Sequence, residues 1–400
     1  MKSPQLKRCA VCLLPETHEA IDFNNNGVCS VCRNHDIKSK INWEDRFAQL
    51  NSIIDQHKGK KQYDCIIPFS GGKDSTFTLY YVVEILKLKP LVVCFDHGFM
   101  RSTVIENRTR TLRKLGVDFL SFTPNWKLVR ELMLQSFLDK GDFCWHCHTG
   151  IFSYPMWIAI EKQIPLIFWG EPSSEYTSFY NYGEIEEVNQ NRFNLITNLG
   201  INAEDMFFRL DEKFSMRDLQ VFSYPSINKL RELGVVSVPL GSFIPWDVKK
   251  QFEIIQSELE WKGESVEGVP PEYNYEKIEC YMQGVRDYIK YLKRGYARTT
   301  HLTSIDIRNG RLTKQEAETL VAEFEGQKPH ALELFLEYTG LTESEFLEIA
   351  LSHKVTNFDN KVMVNILPKP HDFDSWPRGQ GIARDETLER YQKWKNSYGE

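Results

Sequence analysis

The sequence has no long hydrophobic run and no recognisable secretion signal. Its longest apolar stretches, residues 63–69 and 90–95, are far shorter than the roughly 20 residues that a membrane-spanning helix needs. Residues 1–9 are basic, but the apolar segment and small-residue cleavage site of a signal peptide do not follow them. We therefore predict a cytoplasmic protein that does not cross a membrane.

The sequence also lacks an excess of positive charge. It contains 49 Lys and Arg residues against 55 Asp and Glu residues, which gives a net charge of −6. Such a chain offers no broad basic surface for nucleic acid, so we do not expect nucleic acid as a partner. A local basic patch is still compatible with this net charge. With 42% hydrophobic and 26% charged residues over 400 positions, the composition excludes a disordered or fibrous protein and allows two or three packed units.

Four of the nine cysteines form two closely spaced pairs near the N-terminus. Cys9 and Cys12 are followed, after sixteen residues, by Cys29 and Cys32. Disulfides are rare in the cytosol, whereas two CxxC pairs at this spacing are typical of a tetrahedral site for structural Zn²⁺. The alternative is a set of buried free thiols. We predict a zinc-ribbon module over residues 1–45 that needs its metal to fold.

A regular alternation of predicted strands and helices follows a polar helical segment at 43–58. This alternation indicates an α/β fold, a doubly wound domain with a buried parallel sheet. The predicted strands lie at 63–69, 90–95, 117–122 and 165–169. The predicted helices lie at 74–88, 103–115, 126–138 and 151–162.

The rest of the sequence divides into two regions. A stretch rich in aromatic residues, at about 171–219, is predicted to be an insertion, so that the α/β domain covers residues 60–245. Residues 246–400 are predicted to form a helical C-terminal region, and we expect the part after about residue 355 to wrap the surface. The helices predicted in this region lie at 247–261, 275–293, 313–325, 330–338 and 342–352.

The strongest chemical signal follows the first predicted strand. Ser70-Gly71-Gly72-Lys73-Asp74-Ser75 leads directly into a predicted helix. The glycines let backbone N–H groups converge, the helix N-terminus adds partial positive charge, and the Ser and Lys side chains add donors. The loop is therefore suited to an anion such as pyrophosphate. It is not a Walker A loop, because G-x-x-x-x-G-K-[ST] is absent.

In this context the hexapeptide resembles the PP-loop of the N-type ATP pyrophosphatases, which adenylate an oxygen atom and release pyrophosphate. The resemblance implies that ATP and Mg²⁺ bind here and that Lys73 and Asp74 are catalytic. Lys73 would place a point charge on the β- and γ-phosphates. The residues that would surround those phosphates are Ser70, Gly71, Gly72, Asp74 and Ser75.

Two further strand ends carry candidate residues. Asp96 follows the second predicted strand, and Gly170 and Glu171 follow the strand at 165–169. Open α/β sheets bind ligands at the carboxyl ends of their strands, so we predict Asp96 and Gly170 as nucleotide contacts. We predict Glu171 as a catalytic residue that holds Mg²⁺ or orients a nucleophile. The alternatives are an Asp that caps a loop and a solvated loop carboxylate.

Residues 144–148, Cys-Trp-His-Cys-His, place two cysteines and two histidines just before a predicted helix. Four ligands so close in sequence rarely converge on one ion. We therefore consider a second metal site formed by Cys144 and Cys147 with a distant partner such as Cys280. The alternative is that these residues are packed or line a substrate pocket.

A basic string, residues 290–298, ends the helix predicted at 275–293. We predict that it returns to the active site to bind phosphates or a sugar carboxylate, with Lys293 catalytic and Arg294 and Arg298 in ligand binding. The alternative is that these cations only complement the helix dipole at its C-terminus.

Taken in order, the four-cysteine ribbon, the loop at 70–75, the string at 144–150 and the basic string resemble one family, the N-acetyl sugar amidotransferases of the WbpG and PseA type. The resemblance implies a bacterial enzyme of surface-glycan biosynthesis that converts an acetamido group of a nucleotide-activated sugar into an acetamidino group. The amide oxygen would be adenylated by ATP, and ammonia would then displace AMP. No cysteine lies in a recognisable glutaminase signature, so a partner glutaminase and its cyclase-like companion would supply the ammonia.

Two other functions share some of these motifs. A PP-loop tRNA sulfurtransferase would use Cys144 and Cys147, as some tRNA-thiolating enzymes of this superfamily do, and would need a basic RNA-binding face. A non-catalytic scaffold would bind nucleotide without turnover. Aromatic residues in and beside the insertion could stack on a sugar or nucleotide, or belong to the core: Trp169, Tyr176, Phe179, Tyr180 and Tyr182.

Overall fold

The computed structural model describes residues 6–175, 179–210, 213–358 and 363–398. The strands in these residues are β1 Cys65–Pro68, β2 Pro90–Phe95, β3 Asp118–Phe122, β4 Leu166–Trp169, β5 Val236–Pro239, β6 Gln327–Lys328 and β7 Met363–Ile366. The α-helices up to β5 are α1 Ser30–Lys38, α2 Trp43–Asp55, α3 Lys73–Tyr80, α4 Ser102–Leu115, α5 Trp126–Lys140, α6 Trp145–Lys162, α7 Gln190–Arg192, α8 Ala203–Arg209 and α9 Ile227–Leu233. The later helices are α10 Val248–Leu259, α11 Gln283–Arg294, α12 Arg298–Arg308, α13 Lys314–Phe324, α14 Ala331–Thr339, α15 Glu343–Ser352 and α16 Arg384–Tyr398.

Strands β1 to β5 form a single parallel sheet in the order β3-β2-β1-β4-β5. Alternate side chains of β1 point to opposite faces, as the pleat requires. Cys65 and Ile67 pack with residues of α2, α3 and α10, whereas Ile66 packs with residues of α5 and α6. The predicted α/β class with a parallel sheet is confirmed.

The strand order fixes where a ligand is expected. From β1 the chain proceeds to β2 and β3 on one side, and then returns to add β4 and β5 on the other side. The switch point therefore lies between β1 and β4. In open α/β sheets the crevice beyond the carboxyl ends of the two strands at such a point is the usual ligand site.

Two further cores lie beside the sheet. Residues of α5, α11, α14, α15 and α16 share one, and the four N-terminal cysteines with Leu14 and Val31 form a smaller one. The N-terminal module contacts the C-terminal helices, because the Leu13 amide donates to Ser304 Oγ at 3.2 Å and the Lys314 ammonium donates to the Cys9 carbonyl at 3.0 Å. Within the described ranges, no helix is long and apolar enough to span a bilayer.

Several predicted boundaries were wrong, and one of these errors affects the site. The helix predicted at 275–293 begins only at Gln283. The Tyr281 amide donates to the Phe99 carbonyl at 2.9 Å, and Met100 pairs with Cys280 in an isolated antiparallel bridge. Residues 275–282 therefore bond to the loop after β2 instead of forming a helical turn.

Other differences follow from tertiary packing. The helix predicted at 151–162 begins at Trp145, so that Cys147 and His148 lie in its first turn. The strand β5 and the helix α12 were not predicted. The part after residue 355 does more than wrap the surface, since it includes α16, whose Tyr391 and Trp394 are buried.

Gly150 allows α6 to approach the sheet. A Cβ added at this position would overlap the ring of Phe95, the last residue of β2. We expect Gly150→Ala to lower the free energy of unfolding by about 1–3 kcal/mol, the usual cost of overpacking a core, as measured by urea denaturation. Adding Phe95→Val should recover part of the loss. Equal stability of Gly150→Ala and the wild type would contradict this packing.

Candidate active site

The loop at residues 70–75 connects β1 to α3 at the switch point. Its shape is held by its own hydroxyl groups, since Ser70 Oγ accepts the Gly72 amide at 3.2 Å and Ser75 Oγ accepts the Gly71 amide at 3.3 Å. Gly71 has φ of +91°, and a Cβ there would lie 3.1 Å from the Val104 carbonyl oxygen. The sequence of the loop thus sets a backbone that residues with side chains rarely adopt.

The loop opens into a cavity of about 310 Å³, which we call the loop cavity. Residues that follow β4 line it as well, because parallel strands end at the same edge of the sheet. The structure thus brings together six of the residues proposed from the sequence: Ser70, Gly72, Asp74, Ser75, Gly170 and Glu171.

Lys73 does not line this cavity but lies behind the loop. Its ammonium is 2.5 Å from Asp74 Oδ2 and 2.8 Å from Glu276 Oε2, and the side chain is only 4% exposed. Burial alone would favour the neutral amine, but the carboxylates of Asp74, Glu276 and Glu171 raise the pKa of Lys73 well above its usual value. Lys73 is therefore a buried cation that already has two partners.

Asp74 presents an unused acceptor at the loop cavity. Burial raises the pKa of this carboxyl to about 7, Lys73 opposes that shift, and Glu171 adds to it. Its buried Oδ1 accepts no hydrogen bond from the described residues, and the buried indole N–H of Trp169, on the same cavity, has no acceptor there. An unpaired acceptor and an unpaired donor indicate a polar ligand. Because Mg²⁺ prefers carboxylate oxygens, Asp74 and Glu171 fit a magnesium site.

Three charged side chains from residues 275–282 also approach the loop or Glu171 beside it, and the sequence did not single them out. Glu276 pairs with Lys73, and Lys277 lies 3.4 Å from Glu171. A Cβ at Gly72 would lie 2.8 Å from both carboxylate oxygens of Glu279, which shows how closely Glu279 approaches the loop. A helix was predicted over this segment; in a helix Glu276 and Glu279 would share a face, but Lys277 would point about 100° away from Glu276.

Cys144, Cys147 and Cys280 line the loop cavity together with His148. Burial raises the pKa of the Cys280 thiol to about 12 and also raises that of Cys147, so both thiols are protonated at neutral pH. Among the described residues, their ligand atoms do not converge within the 4.8 Å that unites the N-terminal quartet. A second metal site at these cysteines stays a prediction.

The N-terminal quartet has the geometry of a tetrahedral metal site. Cys9 Sγ lies 3.8 Å from Cys32 Sγ, and Cys12 Sγ lies 3.8 Å from Cys29 Sγ. A tetrahedron with metal–sulfur bonds of about 2.3 Å has sulfur–sulfur edges of about 3.8 Å. All four side chains are buried, so the residues fit structural zinc.

The structure places the basic string away from the loop cavity. Lys293 donates to the carbonyls of Lys140 and Gly141 at 2.8 and 3.0 Å, and thereby caps α5. Arg294 pairs with Glu19 at 3.3 Å in the N-terminal module. Lys293, Arg294 and Arg298 line instead a second cavity of about 400 Å³, which we call the basic recess.

Arg298 also has protein partners. It pairs with Glu276 and with Asp287, each at 3.4 Å. Through Glu276 it is linked to Lys73, so it contributes to the buried charge network behind the loop. Arg298 therefore belongs to this charge network but does not line the loop cavity.

Asp96 and most of the proposed aromatic residues do not line the loop cavity. Asp96 Oδ1 accepts the Gly98 amide at 2.9 Å, which is the loop-capping alternative, and its neighbour His97 lines the cavity instead. Trp169 lines it and stacks on Phe152 at 5.1 Å between ring centroids. Tyr182 is buried and Phe179 lines a neighbouring cavity, whereas Tyr180 lines neither; Tyr176 lies outside the described residues.

One segment that lines the loop cavity belongs to a region that matches a known protein family. Residues 272–373 match the model of a family described as "LPS biosynthesis protein WbpG-like, C-terminal domain". The chain has a WbpG-like C-terminal domain. Over residues 272–373 this match supports the WbpG type that the motifs indicated. The domain contributes Lys277, Glu279, Cys280 and Arg286 to the loop cavity.

One curated relative is also similar over part of the chain. "Uncharacterized protein MJ1599" of Methanocaldococcus jannaschii is 30% identical over 115 residues, which is 28% of this chain and 41% of that protein. The chain thus matches less than half the length of this relative.

Proposed function

We propose that this protein is an ATP-dependent enzyme of lipopolysaccharide or related surface-glycan biosynthesis, which converts an acetamido group of a nucleotide-activated sugar into an acetamidino group. One observation carries the proposal: the anion-binding loop, two carboxylates and the WbpG-like domain all line one cavity. The loop is built for phosphates, and the matched family supplies the link to glycan biosynthesis.

An amide carbonyl is a poor electrophile, and its oxygen must become a leaving group before ammonia can replace it. In the proposed reaction the amide oxygen bonds to the α-phosphorus of ATP, and the bond to pyrophosphate breaks. Ammonia then bonds to the amide carbon, a proton is lost, and the carbon–oxygen bond breaks to release AMP. The products are the amidine, AMP and pyrophosphate.

The residues of this chain position and neutralise the reacting groups. The amides of the loop and the N-terminus of α3 would bind the departing pyrophosphate, while Asp74 and Glu171 would hold Mg²⁺. Lys73 does not line the loop cavity. Its ammonium pairs with Asp74 Oδ2 and so holds that carboxylate in position. A separate glutaminase and its cyclase-like companion would supply the ammonia.

The test is ATP turnover with ammonium chloride and a panel of UDP- and CMP-activated acetamido sugars, followed by AMP, pyrophosphate and product mass. We expect AMP with one sugar, which gains NH in place of O. Asp74→Asn should lose at least 100-fold in AMP formation, because electrostatic stabilisation of phosphate transfer by one such group is typically worth about 10²–10³. Asp385→Asn, the same change on the exposed surface of α16, should keep full activity.

A tRNA sulfurtransferase is the second candidate, and Cys144, Cys147 and Cys280 on the loop cavity favour it. Bulk tRNA therefore belongs in the same assay. AMP formation with tRNA and with no sugar, together with visible absorbance in anaerobically purified protein that Cys144→Ser removes, would replace the amidotransferase proposal.

A further inference from the structure

Arg286 is a charged residue that neither the sequence prediction nor the proposed chemistry uses. It lies in α11 and lines the loop cavity, the basic recess and a third cavity of about 350 Å³. Of the described residues, it alone is common to the three linings. Arg286 therefore lies where the loop cavity and the recess adjoin.

The guanidinium of Arg286 has no hydrogen-bond acceptor and no ion-pair partner among the described residues. Burial opposes its charge, but Cys144, Asp142 and Asp287 together raise the pKa of Arg286. Both carboxylates also have other partners. Asp142 Oδ1 accepts the Cys144 amide at 2.8 Å, and Asp287 pairs with Arg298 at 3.4 Å. The surrounding groups thus favour the charged form of the half-buried Arg286, but they accept none of its guanidinium N–H groups within the described residues, and a bound anion would supply those acceptors.

The recess beside Arg286 is strongly basic in a chain whose net charge is negative. Six basic side chains line it, against the three acidic side chains of Glu19, Asp142 and Asp287. Most of these cations are fixed by protein partners: Lys293 by two carbonyls, and Arg294 and Lys290 by Glu19. These side chains therefore have fixed positions in the lining, whereas the N–H groups of the Arg286 guanidinium are available to a ligand.

We infer that Arg286 and the basic recess bind the phosphates of the nucleotide handle of the sugar, at a site distinct from the loop that binds ATP. The planar fork of an arginine matches two oxygens of a phosphate, which makes it better suited to this role than a lysine. The inference rests on the proposed function for the identity of the sugar. The presence of a second phosphate site does not depend on turnover.

The geometry also orients the substrate. With its phosphates in the recess, the sugar would extend past Arg286 into the loop cavity, where its acetamido group would meet the α-phosphate of ATP. Lys277 and Glu171, which line both the loop cavity and the third cavity, lie along the same route.

The first test is a titration that needs no sugar. Protein saturated with Mg²⁺ and a fluorescent α,β-methylene-ATP, which cannot be cleaved between its α- and β-phosphates, is titrated with inorganic pyrophosphate in a calorimeter. We expect wild-type protein to bind pyrophosphate without releasing the analogue. Arg286→Gln should bind it about tenfold or more weakly, the usual effect of losing a charge-assisted hydrogen bond. Arg113→Gln, the same change at an exposed arginine of α4, should bind as the wild type does.

Two results would overturn the inference. One is that pyrophosphate does not bind to the loaded protein, or binds only by displacing the fluorescent analogue from the loop. The other is that Arg286→Gln binds as tightly as wild type.

A second measurement links the site to the substrate once the sugar is known. Arg286→Gln should raise the KM for the nucleotide sugar about tenfold or more and leave the KM for ATP unchanged. If no sugar is turned over while the pyrophosphate result holds, the proposed function fails and the phosphate site stands. If the sugar is turned over and its KM is unchanged in Arg286→Gln, the site fails and the proposed function stands.

Discussion

Replacing Lys73 with methionine is expected to abolish AMP formation and to lower the free energy of unfolding by about 3–5 kcal/mol. The ammonium is buried between Asp74 and Glu276, so its removal leaves two carboxylates facing each other without a cation. Arg298, at 3.4 Å from Glu276, compensates only part of that charge. From the motif alone one would expect a purely catalytic lysine that can be removed without loss of stability.

The measurement is urea denaturation of Lys73→Met beside the same substitution at Lys127, an exposed residue of α5 that should change stability little. Adding Glu276→Gln to Lys73→Met removes one of the unpaired carboxylates. We expect this double variant to recover part of the stability and none of the activity. A Lys73→Met protein that unfolds at the wild-type urea concentration would show that the buried network contributes nothing to the fold.

The loop cavity shows how far the sequence could predict the site. The loop residues 70–75 were recognisable because the local pattern of a strand, two glycines, and a helix start determines the conformation by itself. Gly170 and Glu171 followed from a topological rule, since residues after neighbouring parallel strands must lie at one edge of the sheet. Predictions from local pattern and strand ends therefore located the part of this cavity that residues 70–75, 170 and 171 form.

Another part of the lining comes from residues 277–286, about two hundred positions further along the chain. Helical periodicity was misleading over 275–282, because bonds between Tyr281 and Phe99 hold the segment out of a helix. No local pattern could reveal that tertiary bond. Propensity is a weak prior wherever such a contact competes with it.

A helical-face argument could have found Arg286. Arg286, Lys290 and Arg294 are spaced by four residues within α11, and such residues lie on one face of a helix. The prediction from sequence considered only the cations of residues 290–298, at the end of the predicted helix. Most of those cations have protein partners, whereas Arg286 has no hydrogen-bond or ion-pair partner in the part of the chain that the structure describes.

The four-thiolate site supports the second large prediction. Cys9→Ser should reduce bound zinc from one equivalent to almost none and lower the thermal midpoint, because metal binding contributes about 10–16 kcal/mol to folding in isolated zinc-finger peptides. We expect part of this stabilisation to extend to the rest of the chain through contacts with the module. The module contacts α12 through Leu13 and Ser304, and it contacts the end of α11 through Glu19 and Arg294.

The comparison with Cys65→Ser separates zinc loss from the loss of a buried thiol. Cys65 is fully buried in β1, so the same substitution there should destabilise the core of the sheet while zinc stays bound. Both variants are to be measured for zinc by mass spectrometry of metals and for stability with and without a chelator. The chelator should lower the midpoint of the wild type and of Cys65→Ser, and it should leave Cys9→Ser unchanged, because that variant has no zinc to lose. Full zinc content in Cys9→Ser would exclude the four-thiolate site. Zinc loss without any fall in the midpoint would mean that the module folds apart from the C-terminal helices it contacts.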